Sequence, residues 1–203
     1  MATVTGIEVN RGMAAIYLDG SLWLRVRQAH FGRLPLREGD EVDAEAWADR
    51  LAALQFNDAW EAALTSLDHS ARTEKELRAS LKRRGYVEPA VDAVLARLRE
   101  TGLVDDARYA DRMAELQSKK PVGVYAFKRR LMAKGISEDD AAGALMAFDE
   151  DQQRDACLAA AHKLYRKYEA LPPREGKAKL SQALARRGFG WDAIESAVDA
   201  LWE

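Results

Sequence analysis

The chain has 203 residues, with 31 lysines and arginines against 33 aspartates and glutamates, a formal net charge of −2 and a single cysteine. Apolar residues make up 48% of it, yet no run approaches the roughly 18 residues of a membrane span, so a membrane anchor is not expected. One cysteine excludes an internal disulfide or a paired-cysteine metal site, and residues 1–10 lack the basic-then-apolar pattern of a signal peptide, so a soluble protein of the cytoplasm is expected.

The first forty residues read as strands. Ala15-Ile16-Tyr17-Leu18 and Leu22-Trp23-Leu24-Arg25-Val26-Arg27 flank Asp19-Gly20, a dipeptide suited to the positive φ of a type I′ hairpin turn. Strict alternation puts Leu22, Leu24 and Val26 on one face and Trp23, Arg25 and Arg27 on the other. Residues 3–9 supply a third strand of a small meander. Such a sheet is marginal alone and must lean on the helices that follow.

From Asp43 onward alanine, leucine, arginine and glutamate dominate, and an internal period emerges. Leu77-Arg-Ala-Ser-Leu81-Lys-Arg-Arg-Gly85-Tyr86, Phe127-Lys-Arg-Arg-Leu131-Met-Ala-Lys-Gly135-Ile136 and Leu180-Ser-Gln-Ala-Leu184-Ala-Arg-Arg-Gly188-Phe189 superimpose on their glycines. Each has apolar residues eight and four before the glycine, on one helix face. Each has a basic residue just before the glycine, where it meets the negative helix end, and a large apolar residue just after it. Apolar residues recur six and ten past the glycine (Val91/Leu95, Ala141/Leu145, Ile194/Val198), so a second helix packs back on the first. A third helix precedes each pair, over about 57–67, 106–117 and 151–168. Of the later glycines only Gly143 is expected inside a helix, the others marking helix ends. Thr73 with Glu76 forms a capping box, Ser137 with Asp140 an acidic version of it, and Asp105 or Asp106 caps the helix after Gly102. The fold class expected is mainly α: three tandem three-helix bundles behind a small N-terminal β-hairpin or meander. Its divisions are 1–42 for the β segment, 43–104 for a linker helix and the first repeat, 105–148 for the second and 149–203 for the third.

The near-neutral total hides a pattern. Residues 72–84 hold six basic and two acidic residues, 119–134 six and none, and 174–187 five and one. The helices after the glycines are acidic or near neutral, with net −1 over 88–100, −6 over 137–151 and −4 over 190–203. Three basic helices side by side would form a positive stripe for a polyanion or an acidic protein groove. The turn resembles a helix-turn-helix, in which the helix after the turn reads the major groove. That helix is acidic here, carrying Glu138, Asp139 and Asp140 in one copy, so base reading is not expected.

No phosphate loop, GxGxxG, GxSxG or HExxH occurs. His30, His69 and His162 are scattered, Cys157 lies in an alanine-rich helix, and the paired acids stand at helix starts where capping explains them. No catalytic residue, metal site or cofactor is expected.

On these residues the chain resembles the RecX family of bacterial recombination regulators. The residues from Arg72-Thr-Glu-Lys-Glu-Leu77 to Gly85-Tyr86 are similar to that family's first repeat, and Leu98-Arg-Glu-Thr-Gly102-Leu-Val-Asp-Asp106-Ala-Arg-Tyr109 to its best-marked motif. Leu131-Met-Ala-Lys134-Gly135-Ile-Ser137 and Ala185-Arg-Arg-Gly188-Phe189 match the later repeats. The junction Pro121-Val-Gly-Val-Tyr125 is less basic than the family pattern. The resemblance implies a non-enzymatic protein that binds the RecA recombinase. It would lie in the groove of the recombinase filament on single-stranded DNA and inhibit ATPase, strand-exchange and coprotease activities in recombination, DNA repair and the SOS response. Some members also bind DNA. Neither a cofactor nor a membrane is implied, and a monomer is expected. The partner-binding residues expected are Lys82, Arg83, Arg84, Lys128, Arg129, Arg130, Lys134, Arg186 and Arg187. Two other classes stay open on the residues alone, a stand-alone single-stranded-DNA-binding protein and a helical-repeat scaffold for another acidic protein.

Overall fold

The computed structural model describes residues 1–202 except 119 and 121; Lys119, counted above among the basic residues, and Pro121 lie outside the described residues. The chain divides into two compact units, Met1–Asp105 and Asp106–Glu203.

In the first unit, β1 (Ala2–Asn10), β2 (Met13–Leu18) and β3 (Ser21–Arg27) form an antiparallel meander, and β4 (Glu41–Val42) adds to the free side of β1, giving the order β3-β2-β1-β4. Asp19 and Gly20 take φ of +48° and +82°, as the two-residue hairpin requires. A second such turn joins β1 to β2 through Arg11 and Gly12, at φ +50° and +77°. β4 is held by Ala2↔Val42 and Thr3↔Glu41 pairing; two residues carry too little periodicity to be read as a strand beforehand.

The alternation expected of β3 breaks at one residue. Ile16 pairs with Leu24 but Tyr17 pairs with Leu22, so Trp23 is an unpaired bulge residue. The bulge turns Trp23 inward onto Trp47, ring centroids 5.2 Å apart, and leaves Leu22 exposed. A one-residue slip exchanges the two faces of a strand, which is what separates Leu22 from Leu24 and Val26.

After a short α1 (Gln28–Phe31), α2 runs unbroken from Ala44 to His69. A separate linker helix before residue 57 is not formed. Asp43 caps α2 by accepting from the amides of Glu45 and Ala46 at 3.1 Å each. The helix serves two cores. Its first half buries Trp47 and Leu51 with Val4, Ile16 and Val26 of the sheet. Its second half buries Ala59 and Ala63 with Leu77 and Leu81 of α3 (Glu74–Arg83) and Val91, Leu95 and Leu98 of α4 (Glu88–Glu100).

The second unit contains α5 (Asp106–Ser118), α6 (Val124–Ala133) and α7 (Glu138–Leu145), followed by α8 (Glu150–Tyr165), α9 (Pro173–Arg186) and α10 (Trp191–Asp199). Ala110, Ala114, Phe127, Leu131, Ala141 and Ala144 form one core. Cys157, Ala161, Leu180, Leu184, Phe189, Ile194 and Val198 form another. The apolar positions read from the period are thus the core positions.

The three repeat turns share one hydrogen-bond pattern. Tyr86, Ile136 and Phe189 each donate their amide to the carbonyl five residues back, on Leu81, Leu131 and Leu184 (3.3, 3.2 and 3.4 Å), around glycines at φ between +83° and +92°. This is the C-terminal motif that a left-handed glycine permits. Not every glycine marks a helix end in that way. Gly176 lies buried inside α9, and Gly123 and Gly190 stand at helix starts with negative φ.

Candidate partner-binding surface

Helix ends position the basic side chains. The Thr73 capping box sets the start of α3, the Thr73 hydroxyl accepting from the Glu76 amide at 3.3 Å and the Thr73 amide donating to Glu76 Oε2 at 3.2 Å. With Leu77 and Leu81 buried, Arg78 and Lys82 face α4. There Arg78 Nη1 lies 2.6 Å from both Glu88 and Asp92, and its Nη2 lies 3.5 Å from Glu74. Lys82 Nζ lies 2.6 Å from Glu88. The Lys82 hydrogen bond, ahead of that from Arg78, holds the Glu88 carboxyl below the ordinary carboxylate range. Desolvation of Arg78 works against its charge, but Asp92 and Glu88 outweigh it and raise its pKa. Part of the first basic helix is therefore neutralised by the acidic helix that follows. Arg83 remains exposed and Arg84 half-exposed, neither with an ion-pair partner among the described residues.

The first turn is anchored by a polar cluster that local spacing cannot reveal. Gln55, fully buried in α2, donates through Nε2 to the Gly85 carbonyl (3.1 Å) and accepts through Oε1 from the Val87 amide (2.8 Å). Its Nε2 also lies 3.2 Å from His30 Nδ1, and His30 Nε2 lies 2.8 Å from Asp58 Oδ2. With its oxygen turned to the Val87 amide, Gln55 presents an N–H to His30 Nδ1, and Nε2 is the ring nitrogen that faces Asp58. His30 is thus tied to Asp58 across 28 residues of sequence and is not an isolated histidine. Arg27 Nε donates to the Arg84 carbonyl at 3.1 Å, joining β3 to the same turn. The histidine and carboxylate serve a turn, beside the Tyr86 hydroxyl, which donates to the Asp58 carbonyl at 2.9 Å.

The second and third basic helices meet in the second unit. Lys128 Nζ is 2.8 Å from Glu138 and holds that carboxyl below its ordinary range. Lys134 Nζ lies 5.4 Å from the Tyr109 ring centroid, a cation–π arrangement. The start of α6 seats against the α9 turn, Tyr125 donating its amide to the Gly188 carbonyl at 3.0 Å. Arg129 Nη2 donates to the Arg186 carbonyl at 3.5 Å, the counterpart of Arg27 on Arg84. Arg129, Arg130, Arg186 and Arg187 are all exposed and have no ion-pair partner among the described residues. The nine expected residues therefore fall into two groups. Lys82, Lys128 and Lys134 make contacts within their own repeats, while the arginines at the helix ends offer their charge outward.

No group of three or more His, Cys, Asp or Glu among the described residues could hold a metal ion. Cys157 is buried, and desolvation pushes its thiol up to about 11, which suppresses the thiolate a nucleophile needs.

Comparison with known proteins follows the same lines. Family models described as the first and third three-helix domains of RecX match residues 59–98 and 150–198. The regulatory protein RecX of Limosilactobacillus reuteri is 30% identical, covering 99% of this chain and 77% of that protein. That of Levilactobacillus brevis is 32% identical with the same coverage. A crystal structure of regulatory protein RecX matches with a TM-score of 0.68 and 30% identity, covering 98% of this chain and 100% of that one. The crystal structure of RecX from Lactobacillus salivarius matches with a TM-score of 0.65 and 26% identity over 73% of this chain and 97% of that one.

Proposed function

Because the chain belongs to the RecX family, non-enzymatic regulators that inhibit the RecA recombinase, we propose that its helix-end arginines are the surface it presents to the recombinase filament. The observation that carries this reading is the seating of Arg129 on the Arg186 carbonyl. It gathers the ends of two basic helices, with Arg130 and Arg187, where no carboxylate of the described residues compensates them. A cluster of uncompensated cations raises the encounter rate with an anionic assembly and makes binding salt-dependent. A filament on single-stranded DNA is such an assembly, and arginine is suited to paired contacts with carboxylate or phosphate. Lys82, Lys128 and Lys134 contribute less, because a partner must first displace their own contacts. Arg83 and Arg84 extend the surface in the first unit.

The divisions 1–42, 43–104, 105–148 and 149–203 are proposed as a cap and three modules engaging successive subunits of the filament. Linked weak contacts multiply through effective concentration, so inhibition of ATPase, strand exchange and coprotease activity needs no tight single site. The protein acts in the cytoplasm as a monomer, and contact with single-stranded DNA is secondary to contact with the recombinase. No helix among the described residues is long and apolar enough to cross a membrane.

The test is a triple variant, R130E/R186E/R187E, titrated against recombinase ATPase on single-stranded DNA. Inhibition should fall at least about tenfold and its dependence on salt should flatten. Undiminished inhibition by a variant with the parent's circular dichroism and melting temperature would refute the assignment.

A further inference from the structure

At one pair of positions the third repeat lacks the ion pair of the first two, and a groove lies there. Seven residues before and three after the turn glycine stand Arg78 and Glu88 in the first repeat, bonded at 2.6 Å, and Lys128 and Glu138 in the second, bonded at 2.8 Å. The third repeat has Ser181 and Trp191 there. The Ser181 hydroxyl turns back to the Lys177 carbonyl at 2.9 Å, so these two positions carry no bridge between the helices, and Trp191 stands 68% exposed. The resulting cleft, about 490 Å³, has Ala178, Ile194 and Val198 as its floor and Trp191 as a wall, with Glu195 on its rim. The Lys177–Asp199 bridge, at 2.9 Å, closes the far end.

We propose that this groove between α9 and α10 is a second docking site, for a segment of the recombinase that presents an apolar side chain flanked by lysine or arginine. The proposal rests on the reading that the chain binds recombinase filaments. The apolar part follows from the floor and from the indole, since an exposed tryptophan beside an apolar cleft is the residue type that dominates interface energetics. The basic part follows from charge. Asp192 and Glu195 have no ion-pair partner among the described residues, and they stand beside Trp191 on a helix with no basic residue. The same carboxylates repel a phosphate backbone, so the occupant is protein and not nucleic acid. The molecule would then grip its partner with two surfaces of opposite sign, arginines on helix ends and carboxylates on α10. That arrangement fixes orientation as well as affinity.

The experiment measures binding of the full chain, Trp191→Ala and Glu195→Lys to preassembled recombinase filaments and to naked oligonucleotide, with sedimentation of each variant. Trp191→Ala should weaken filament binding about 30-fold, as truncation of an interface anchor does, with its salt slope unchanged. Glu195→Lys should weaken it several-fold, even though it adds positive charge to a protein that meets an anionic assembly. Both should bind naked oligonucleotide no more weakly than the parent. Filament binding by Trp191→Ala within twofold of the parent overturns the groove while leaving the arginine surface standing. A parental chain that fails to bind filaments overturns the reading beneath both. Loss of oligonucleotide binding by Trp191→Ala, or a parental dimer that this substitution dissociates, assigns the groove to another occupant and refutes the proposal.

Discussion

Replacing Gln55 by leucine tests whether the first basic turn is held by the buried amide. The side chain satisfies three groups, namely the Gly85 carbonyl, the Val87 amide and His30 Nδ1. Leucine preserves the volume but leaves all three buried without partners, each worth about 1–3 kcal/mol. Taking the low end for each, about 3 kcal/mol together, and allowing about 1 kcal/mol for the gain in apolar transfer, the net loss is at least about 2 kcal/mol. Against a typical domain stability of about 5–15 kcal/mol, this should lower the melting temperature of the first unit by about 10–20 °C. Urea unfolding followed by tryptophan emission measures the loss. Hydrogen exchange of the Tyr86 and Val87 amides should accelerate ahead of the α4 interior. Gln55→Glu keeps the acceptor for Val87 but sets a carboxylate against the Gly85 carbonyl, so it should be at least as damaging at neutral pH. A Gln55→Leu protein within about 1 kcal/mol of the parent would refute the clamp.

In the second unit, Gly123→Ala keeps an allowed φ of −67°, but its Cβ would strike the Gly188 carbonyl and the Phe189 amide. The α6 entry must then lift from the α9 turn, at a cost of about 1–3 kcal/mol, and the Tyr125 amide should lose its exchange protection. The Glu88 carboxyl is held down by Lys82 and then Arg78, so its contribution is present above the unfolded carboxylate pKa of about 4.3 and is lost as pH falls through the lower folded value. Because Glu88 is about half exposed, screening limits that contribution to about 1 kcal/mol. Carbon-detected NMR titration should show Glu88 and Glu138 titrating below the ordinary carboxylate range, and Glu88→Gln should remove the corresponding acid-dependent loss. Titration of Glu88 at the ordinary glutamate value of about 4.3 would contradict the bridge.

The repeat was legible because its signals are local. An apolar residue every four positions, a glycine with a large apolar neighbour and a capping pair at three residues act within one or two helical turns, and the three glycine turns formed accordingly. What was hidden involves pairs distant in sequence. His30 meets Asp58 across 28 residues, and Arg129 meets Arg186 across 57. The bulge at Trp23 was hidden for another reason, since alternation describes a regular strand and a single inserted residue inverts it.

Charge divides in the same way. Counting along the chain was enough to show basic helices alternating with acidic ones, and family membership followed from the same residues. Composition is blind to which cations are already engaged. Lys82 and Lys128 reach carboxylates of the helix that follows their turn, whereas Arg130, Arg186 and Arg187 reach none among the described residues. Ser181 and Trp191 sit in plain view at the repeat positions of an ion pair; only the packing of α9 on α10 shows that their exchange leaves an open groove. Periodicity sets which face of a helix is buried, because that depends on residues one turn apart. Whether a side chain on the other face is spent or available depends on what the fold places opposite it, and that is decided by tertiary structure alone.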